Sequence, residues 1–396
     1  MPDLDLARLR ADTPGCTQVL HLNNAGASLM PAPVLRAVTG HLELEARMGG
    51  YEAAEAQAEA IEAVYGSVAR LLNARPNEIA LMESATRAWD ALLSALAFRP
   101  GDRILTGRAE YGSNVIALLQ LARLTGAEIE VIPDDEHGQV SLEALEQMMD
   151  ERVRLIALTH VPSNGGLVNP AAGVGRIARA WDTLYLLDAC QSAGQLVLDV
   201  EQLGCDFLTA TGRKFLRGPR GSGFLHVREE RIHALEPLFL DLRGARWPEA
   251  GHYQPRADAR RFESWESSVA VRLGLGAAVD YALELGVANL EARIRRLAER
   301  LRARLEGIPG VTVADRGIER CGIVTCQLKG DSPERVRQAL RQRDINVSVA
   351  QAESARLDMD ARGLDSLLRA SVHAYNTEDE LERFARELEA LVRPPR

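Results

Sequence analysis

Short apolar runs alternate with amphipathic stretches along most of this chain. The runs at 79–82, 103–105, 129–132, 155–160, 184–187 and 207–208 read as buried strands. Between them lie helical patterns, one beginning near Val34, one over 52–72 and one over 87–96. In the second, Ala60, Ile61, Val64, Val68, Leu71 and Leu72 fall on one helical face. Strands that alternate with helices predict an α/β fold, a mostly parallel sheet covered on both faces. Such open sheets bind ligands beyond the carboxyl ends of their strands. After about residue 270 the pattern changes. Helices over 269–285 and 288–305 precede strands at 311–313, 323–326 and 347–349, a helix from Ser332, and a strand over 367–374. Thr377 with Glu380 forms a capping box for a last helix. The expected organisation is a large domain over 16–268 and a smaller α+β domain over 269–396, with 1–15 packed near the latter.

The stretch 185–225, YLLDACQSAGQLVLDVEQLGCDFLTATGRKFLRGPRGSGFL, adds chemistry to this frame. Asp188 closes one buried strand, and Lys214 follows it by 26 positions, after a second short run. Pyridoxal phosphate (PLP) is held as a Schiff base on a lysine, while a carboxylate keeps its ring nitrogen protonated. Thr209, Thr211 and Arg213 beside the lysine are donors suited to the phosphate. On these two residues alone, a surface lysine salt-bridged after a buried strand fits as well. At 83–86, Glu-Ser-Ala-Thr places small hydroxyl residues at a strand-to-helix junction. That arrangement suits an anion site or an ordinary helix cap. The glycine-rich turn 218–223 is not a dinucleotide fingerprint, because it leads into a strand and not into a helix.

The segments YLLDACQSAGQ and DFLTATGRKFLRGPRGSGFL resemble the core of the class V aminotransferase family of fold-type I PLP enzymes. Cysteine desulfurases, kynureninases, isopenicillin N epimerase and ergothioneine C–S lyases are members. The resemblance implies that Lys214 carries the cofactor, Asp188 pairs with its ring nitrogen, and Gln191 and Asn164 reach its phenolic oxygen. It gives phosphate contacts to Ala85, Thr86, Thr211 and Arg213, where Arg213 stands in place of the usual histidine. Tyr111 takes the position of the aromatic residue that stacks on the ring. A second match, LRASVHAYNT at 368–377, implies that Arg369 clamps the substrate α-carboxylate; the resemblance also places Asn23 and Asn24 at the mouth of the site, where Asn-Asn before Ala-Gly is equally good turn chemistry. The family also implies a homodimer with shared active sites. Ser264-Trp265-Glu266 departs from the family pattern where a threonine reaches the neighbouring subunit's phosphate, leaving Ser267 or Ser268 to supply that donor.

A net charge of −9 argues against nucleic-acid or anionic-membrane partners; the resemblance implies a small amino-acid substrate. No apolar run approaches the roughly 20 residues needed to span a bilayer. The acidic start lacks the marks of a signal peptide, so a cytoplasmic location is expected. Five cysteines at irregular spacing, without a CxxC pair, indicate neither a disulfide framework nor a zinc site. No cysteine lies within 350–368, the loop from which desulfurases present their nucleophile, and this argues against desulfuration. HLNNAGAS, HVPSNGGLVNP and TGRKFLRGPRG resemble the C–S lyase and epimerase branch. The expected reaction is Cβ–S elimination on a cysteine-conjugate-like amino acid. Transamination, epimerisation and a non-catalytic PLP-binding role are the alternatives.

Overall fold

A computed structural model describes residues 4–392; residues 1–3 and 393–396, the extremities of the expected N-terminal segment and C-terminal domain, lie outside the described residues. Seven strands form the larger sheet: β1 (Ile79–Met82), β2 (Arg103–Thr106), β3 (Glu128–Val131), β4 (Val153–Thr159), β5 (Leu184–Asp188), β6 (Phe207–Thr211) and β7 (Gly223–Val227). Their spatial order is β1-β7-β6-β5-β4-β2-β3, and β7 alone runs against the rest. Alternation along each strand divides its side chains between two layers. Ile156, Leu158, Tyr185 and Leu187 enter one apolar cluster, whereas Leu155, Ala157, Leu186 and Phe207 enter the other. Burial on both faces explains why these strands read as continuous apolar runs. The parallel register sets Thr159 beside Asp188 and Asp188 beside Thr209, so polar residues gather at one edge of an otherwise apolar sheet.

Helices α1 (Ala32–Met48), α2 (Ala58–Leu72), α3 (Ala85–Ala95) and α4 (Gly112–Thr125) precede or interleave with these strands. The expected long helix over 52–72 is two helices, Gly50–Ala56 and α2, broken at Gln57. The first piece is rich in Ala and Glu and has no apolar stripe to align with that of α2, so it folds against α1 instead. The exposed hairpin Ala245–Glu249 with His252–Pro255 has no counterpart in the sequence reading.

Helices α5 (Val269–Leu285) and α6 (Val287–Glu306) lead to a four-stranded antiparallel sheet. Its strands are β8 (Val311–Val313), β9 (Ile323–Leu328), β10 (Ser348–Gln351) and β11 (Ser366–Ser371), in the order β8-β9-β11-β10. Helix α7 (Glu378–Leu391) carries the Thr377–Glu380 capping box. Arg302 on α6 is fully buried and paired with buried Asp315 at 2.8 Å. Asp315 also accepts from the Gly166 N–H, which ties a loop of the larger sheet to the smaller one. The N-terminal segment is fastened nearby, where Arg10 donates to Tyr375 O and to Glu380. Among the described residues, no single helix is long and apolar enough to cross a membrane.

Candidate active site

The carboxyl ends of β4, β5 and β6 and the turn after β1 enclose a cavity of about 210 Å³. Its wall includes Ser84, Ala85, Thr86, Tyr111, Ser163, Asp188, Cys190, Gln191, Thr211, Arg213 and Lys214. Each comes from a place where an apolar run stops. Asp188 is the last residue of β5, and its carboxylate accepts from the Cys190 N–H at 2.8 Å and from Asn114 Nδ2 at 2.9 Å. Lys214 lies in the turn between β6 and β7. Burial lowers its ammonium pKa, and the positive charges of Arg213 and Arg369 act in the same direction against Cys190 and Asp188. Lys214 is one of two lysines in the chain, and the other, Lys329, is exposed in the turn after β9.

At the opposite end of the cavity, α3 begins at Ala85 and Ser84 caps it, accepting from the Arg87 N–H at 3.2 Å. Uncompensated N–H groups of a helix start, with Thr86 beside them, are suited to a phosphate. Gly223 makes this corner possible: a Cβ there would stand 2.9 Å from Ser84 C and 2.7 Å from Ala210 O. Arg213 reaches Thr211 Oγ1 at 3.2 Å, and Arg220 stands at the rim, so the anion end is cationic. Thr211 also donates to Ser222 O, which fixes its hydroxyl.

Three of the expected site residues do not line the cavity. Asn164 does not line the cavity. Its amide donates to Asp358 Oδ2 at 2.7 Å, and it is Ser163 that faces inward, with a buried hydroxyl that has no partner. Asn24 is also turned away, donating to Ser371 O at 2.7 Å and accepting from the Tyr375 hydroxyl at 2.5 Å. Its neighbour Asn23 stands nearer the site, with Oδ1 3.5 Å from Arg369 Nη2. Arg369 on β11 sits one layer behind the wall. It donates to Ser163 O at 2.7 Å, its Nε has no partner, and burial beside Arg213 lowers its pKa to about 10. His160 is buried and uncharged, its pKa pushed down to about 4 by burial. Of the two serines offered near Glu266, Ser268 is spent capping α5, and Glu266 is exposed.

The residues fit PLP. A buried acid faces a lysine across one cavity, a cationic helix start closes it at the other end, and Gln191 Oε1 and Ser163 Oγ are buried polar atoms lacking partners. Buried polar groups of that kind call for a polar ligand. Tyr111 lies on the wall as an aromatic cover. The sequence reading did not single out Ser163, Asn114 or Cys190 as site residues. Their only signal was proximity to strand ends.

Fold and cavity together define a PLP-dependent enzyme of the α/β class. Residues 20–384 match the sequence profile of Aminotransferase class-V, and the chain belongs to that family. It is 30% identical over 399 residues to a probable cysteine desulfurase of Xylella fastidiosa strain 9a5c, covering 96% of this chain and 94% of the relative. The structure is similar to the apo cysteine desulfurase of Thermococcus onnurineus NA1, with a TM-score of 0.92, 26% identity and 99% of each chain covered. The fold is also similar to that of the cystine C–S lyase C-DES bound to cysteine persulfide, with a TM-score of 0.85, 23% identity, and 95% and 99% of the two chains covered.

Proposed function

We propose that this PLP enzyme cleaves the Cβ–S bond of a cysteine-derived amino acid by elimination. The supporting observation is a cavity that joins Lys214 and Asp188 but receives no thiol from the 350–368 loop. Between β10 and β11 that segment holds a 3-10 turn, Ala352–Ser354, and a short helix, Arg356–Ala361, and the turn presses on the start of α4; a Cβ at Gly112 would stand 2.4 Å from Glu353 O. Cys190 is the one cavity thiol among the described residues, and burial beside Asp188 pushes its pKa up, away from the thiolate.

When bound, the cofactor supplies an electron-withdrawing ring that makes the substrate Cα proton acidic. Asp188 holds the proton at the ring nitrogen. Lys214, whose ammonium form burial disfavours, takes the Cα proton at Nζ. The Cβ–S bond then breaks with its electron pair on sulfur, which leaves after taking the proton back from Lys214 Nζ. The unsaturated remainder hydrolyses to pyruvate and ammonia. Gln191 and Ser163, with their unpartnered oxygens, orient the cofactor, and Arg369 draws the α-carboxylate toward the Ser163 side.

The names of the relatives favour desulfuration as a second reading. Incubation of the purified protein with cysteine, cystine, cysteine S-conjugates and keto acids separates the outcomes. Pyruvate and ammonia from cystine or S-conjugates are expected, with little persulfide on the enzyme. Alanine together with an enzyme-bound persulfide would overturn elimination in favour of desulfuration. Amination of keto acids, or formation of a D-isomer, would replace it with transamination or epimerisation.

We further propose a homodimer. Phe239 is 87% exposed, and Leu238, Leu242, Trp247 and Trp265 are exposed beside it. An apolar surface of this extent on a net acidic chain suits a second copy. Ser267 and Ser268, which follow exposed Trp265 and Glu266 in the chain, share a groove with Glu83 and Gly221 of the cavity wall, so a second copy on this side would approach the mouth. The double variant Phe239→Glu, Trp247→Glu is expected to run as a monomer by light scattering, with at least about tenfold weaker PLP retention. A stable dimer in that variant would contradict this surface.

A further inference from the structure

Behind the cavity wall lies Glu110, a buried acid with no part in the chemistry above. It follows β2 by four residues and is 1% exposed. Its carboxyl group accepts from the Thr159 N–H at 2.8 Å, the Tyr111 N–H at 3.1 Å and Asn114 Nδ2 at 3.0 Å. The Thr159 hydroxyl also bonds to it, and Thr106 Oγ1 lies 3.4 Å from Oε2. Asn114 Nδ2 has two hydrogens, and it is also 2.9 Å from Asp188 Oδ2. One amide therefore spans two buried acids.

What Glu110 holds belongs to the cofactor site. Thr159 and Tyr111 line the cavity, and Asp188 is reached through Asn114. Burial pushes the Glu110 carboxyl up to about 7 against the pull of its Thr159 and Asn114 donors, with Asp188 adding to the rise. Keeping such a group buried is costly unless its donors are held in place. We propose that Glu110 is a positioning residue for the cofactor: through the Asn114 amide it fixes the orientation of the Asp188 carboxylate, and through the Tyr111 N–H it fixes the aromatic cover. The inference rests on the reading of Asp188 as the acid that faces the ring nitrogen. Without Glu110 the Asn114 amide keeps only one anchor, and Asp188 Oδ2 loses its fixed donor while Oδ1 stays on the Cys190 N–H.

The test is PLP binding to the purified full chain, stripped of cofactor, in the wild type, Glu110→Gln, Asn114→Ala and the double variant. A glutamine NH₂ must face at least one of the donors that Glu110 now receives, so the substitution breaks the arrangement with little change of volume. Each single change is expected to raise the PLP Kd about tenfold, the scale of one hydrogen bond to a charged group. It should also diminish the circular dichroism induced in the cofactor's visible band, which reports ring orientation. In the double variant the loss should equal the larger single loss, since both substitutions break one chain of contacts. Wild-type Kd and dichroism in Glu110→Gln, or losses that multiply in the double variant, would overturn the proposal. Should Glu110→Gln not fold, Asn114→Ala decides alone, and wild-type binding there overturns it. A wild-type cofactor band in Asp188→Asn would instead refute the role of Asp188.

Discussion

Lys214→Ala is expected to lower turnover by at least about a thousandfold while the protein still binds PLP. Removal of the amine deletes both the covalent anchor and the base for the Cα proton, and a positioned base alone contributes on the order of a hundred- to ten-thousandfold. Binding persists because the start of α3 and Thr86 belong to a remote stretch of the chain and Arg213, though next to Lys214, keeps its side chain in the variant. The decisive measurement pairs kcat with cofactor content. Borohydride reduction of the wild type should attach the cofactor to the peptide containing Lys214 and leave Lys329 unmodified, whereas the variant should carry no label. A small primary amine in the buffer should restore part of the activity. Undiminished turnover in the variant would remove Lys214 from the mechanism, and a label on Lys329 would misplace the cofactor.

Asp188→Asn is expected to cost about a hundredfold or more in kcat with a much smaller change in PLP content. An amide is nearly the same shape, so the Cys190 N–H at 2.8 Å can still be accepted, and the strand end should fold as before. What disappears is the negative charge. An opposite charge at contact distance favours the protonated ring nitrogen, and without it the nitrogen releases its proton near neutral pH. The cofactor then withdraws electrons poorly, and the Cα proton becomes harder to remove. The visible spectrum of the variant should therefore change, and its kcat should fall in parallel with kcat/KM. Wild-type rates in Asp188→Asn would mean that another group protonates the ring.

Several parts of this site were legible in the sequence because local pattern and chemistry coincide there. Asp188 interrupts an apolar run, and the parallel register carries it to the same edge as Thr159 and Thr209. Other parts depend on partners far away in the chain. Pro162, Gly165 and Gly166 leave the loop around Ser163 and Asn164 without a local preference, and Asp358 decides which of the two turns inward. Asn23 and Asn24 are chemically identical, and Ser371 at the end of β11 and Tyr375 in the turn after it select between them. The hairpin around Ala245–Glu249 contains Pro248 and Pro255 and faces outward, so it shows neither strand alternation nor an apolar run. Glu110 carries no local signal, because its donors Thr159 and Asn114, and Asp188 beyond Asn114, lie on three separate elements.

The scarcity of lysine has a consequence for how the chain meets aldehydes. Free pyridoxal phosphate condenses with any accessible amine, and on most proteins surface lysines compete with the intended one. Here arginine supplies nearly all of the side-chain positive charge, and its guanidinium stays protonated and forms no such adduct under ordinary conditions. Lys329 is the one other side-chain amine. The uptake of carbonyl cofactor by this chain is thus close to a count of its active sites.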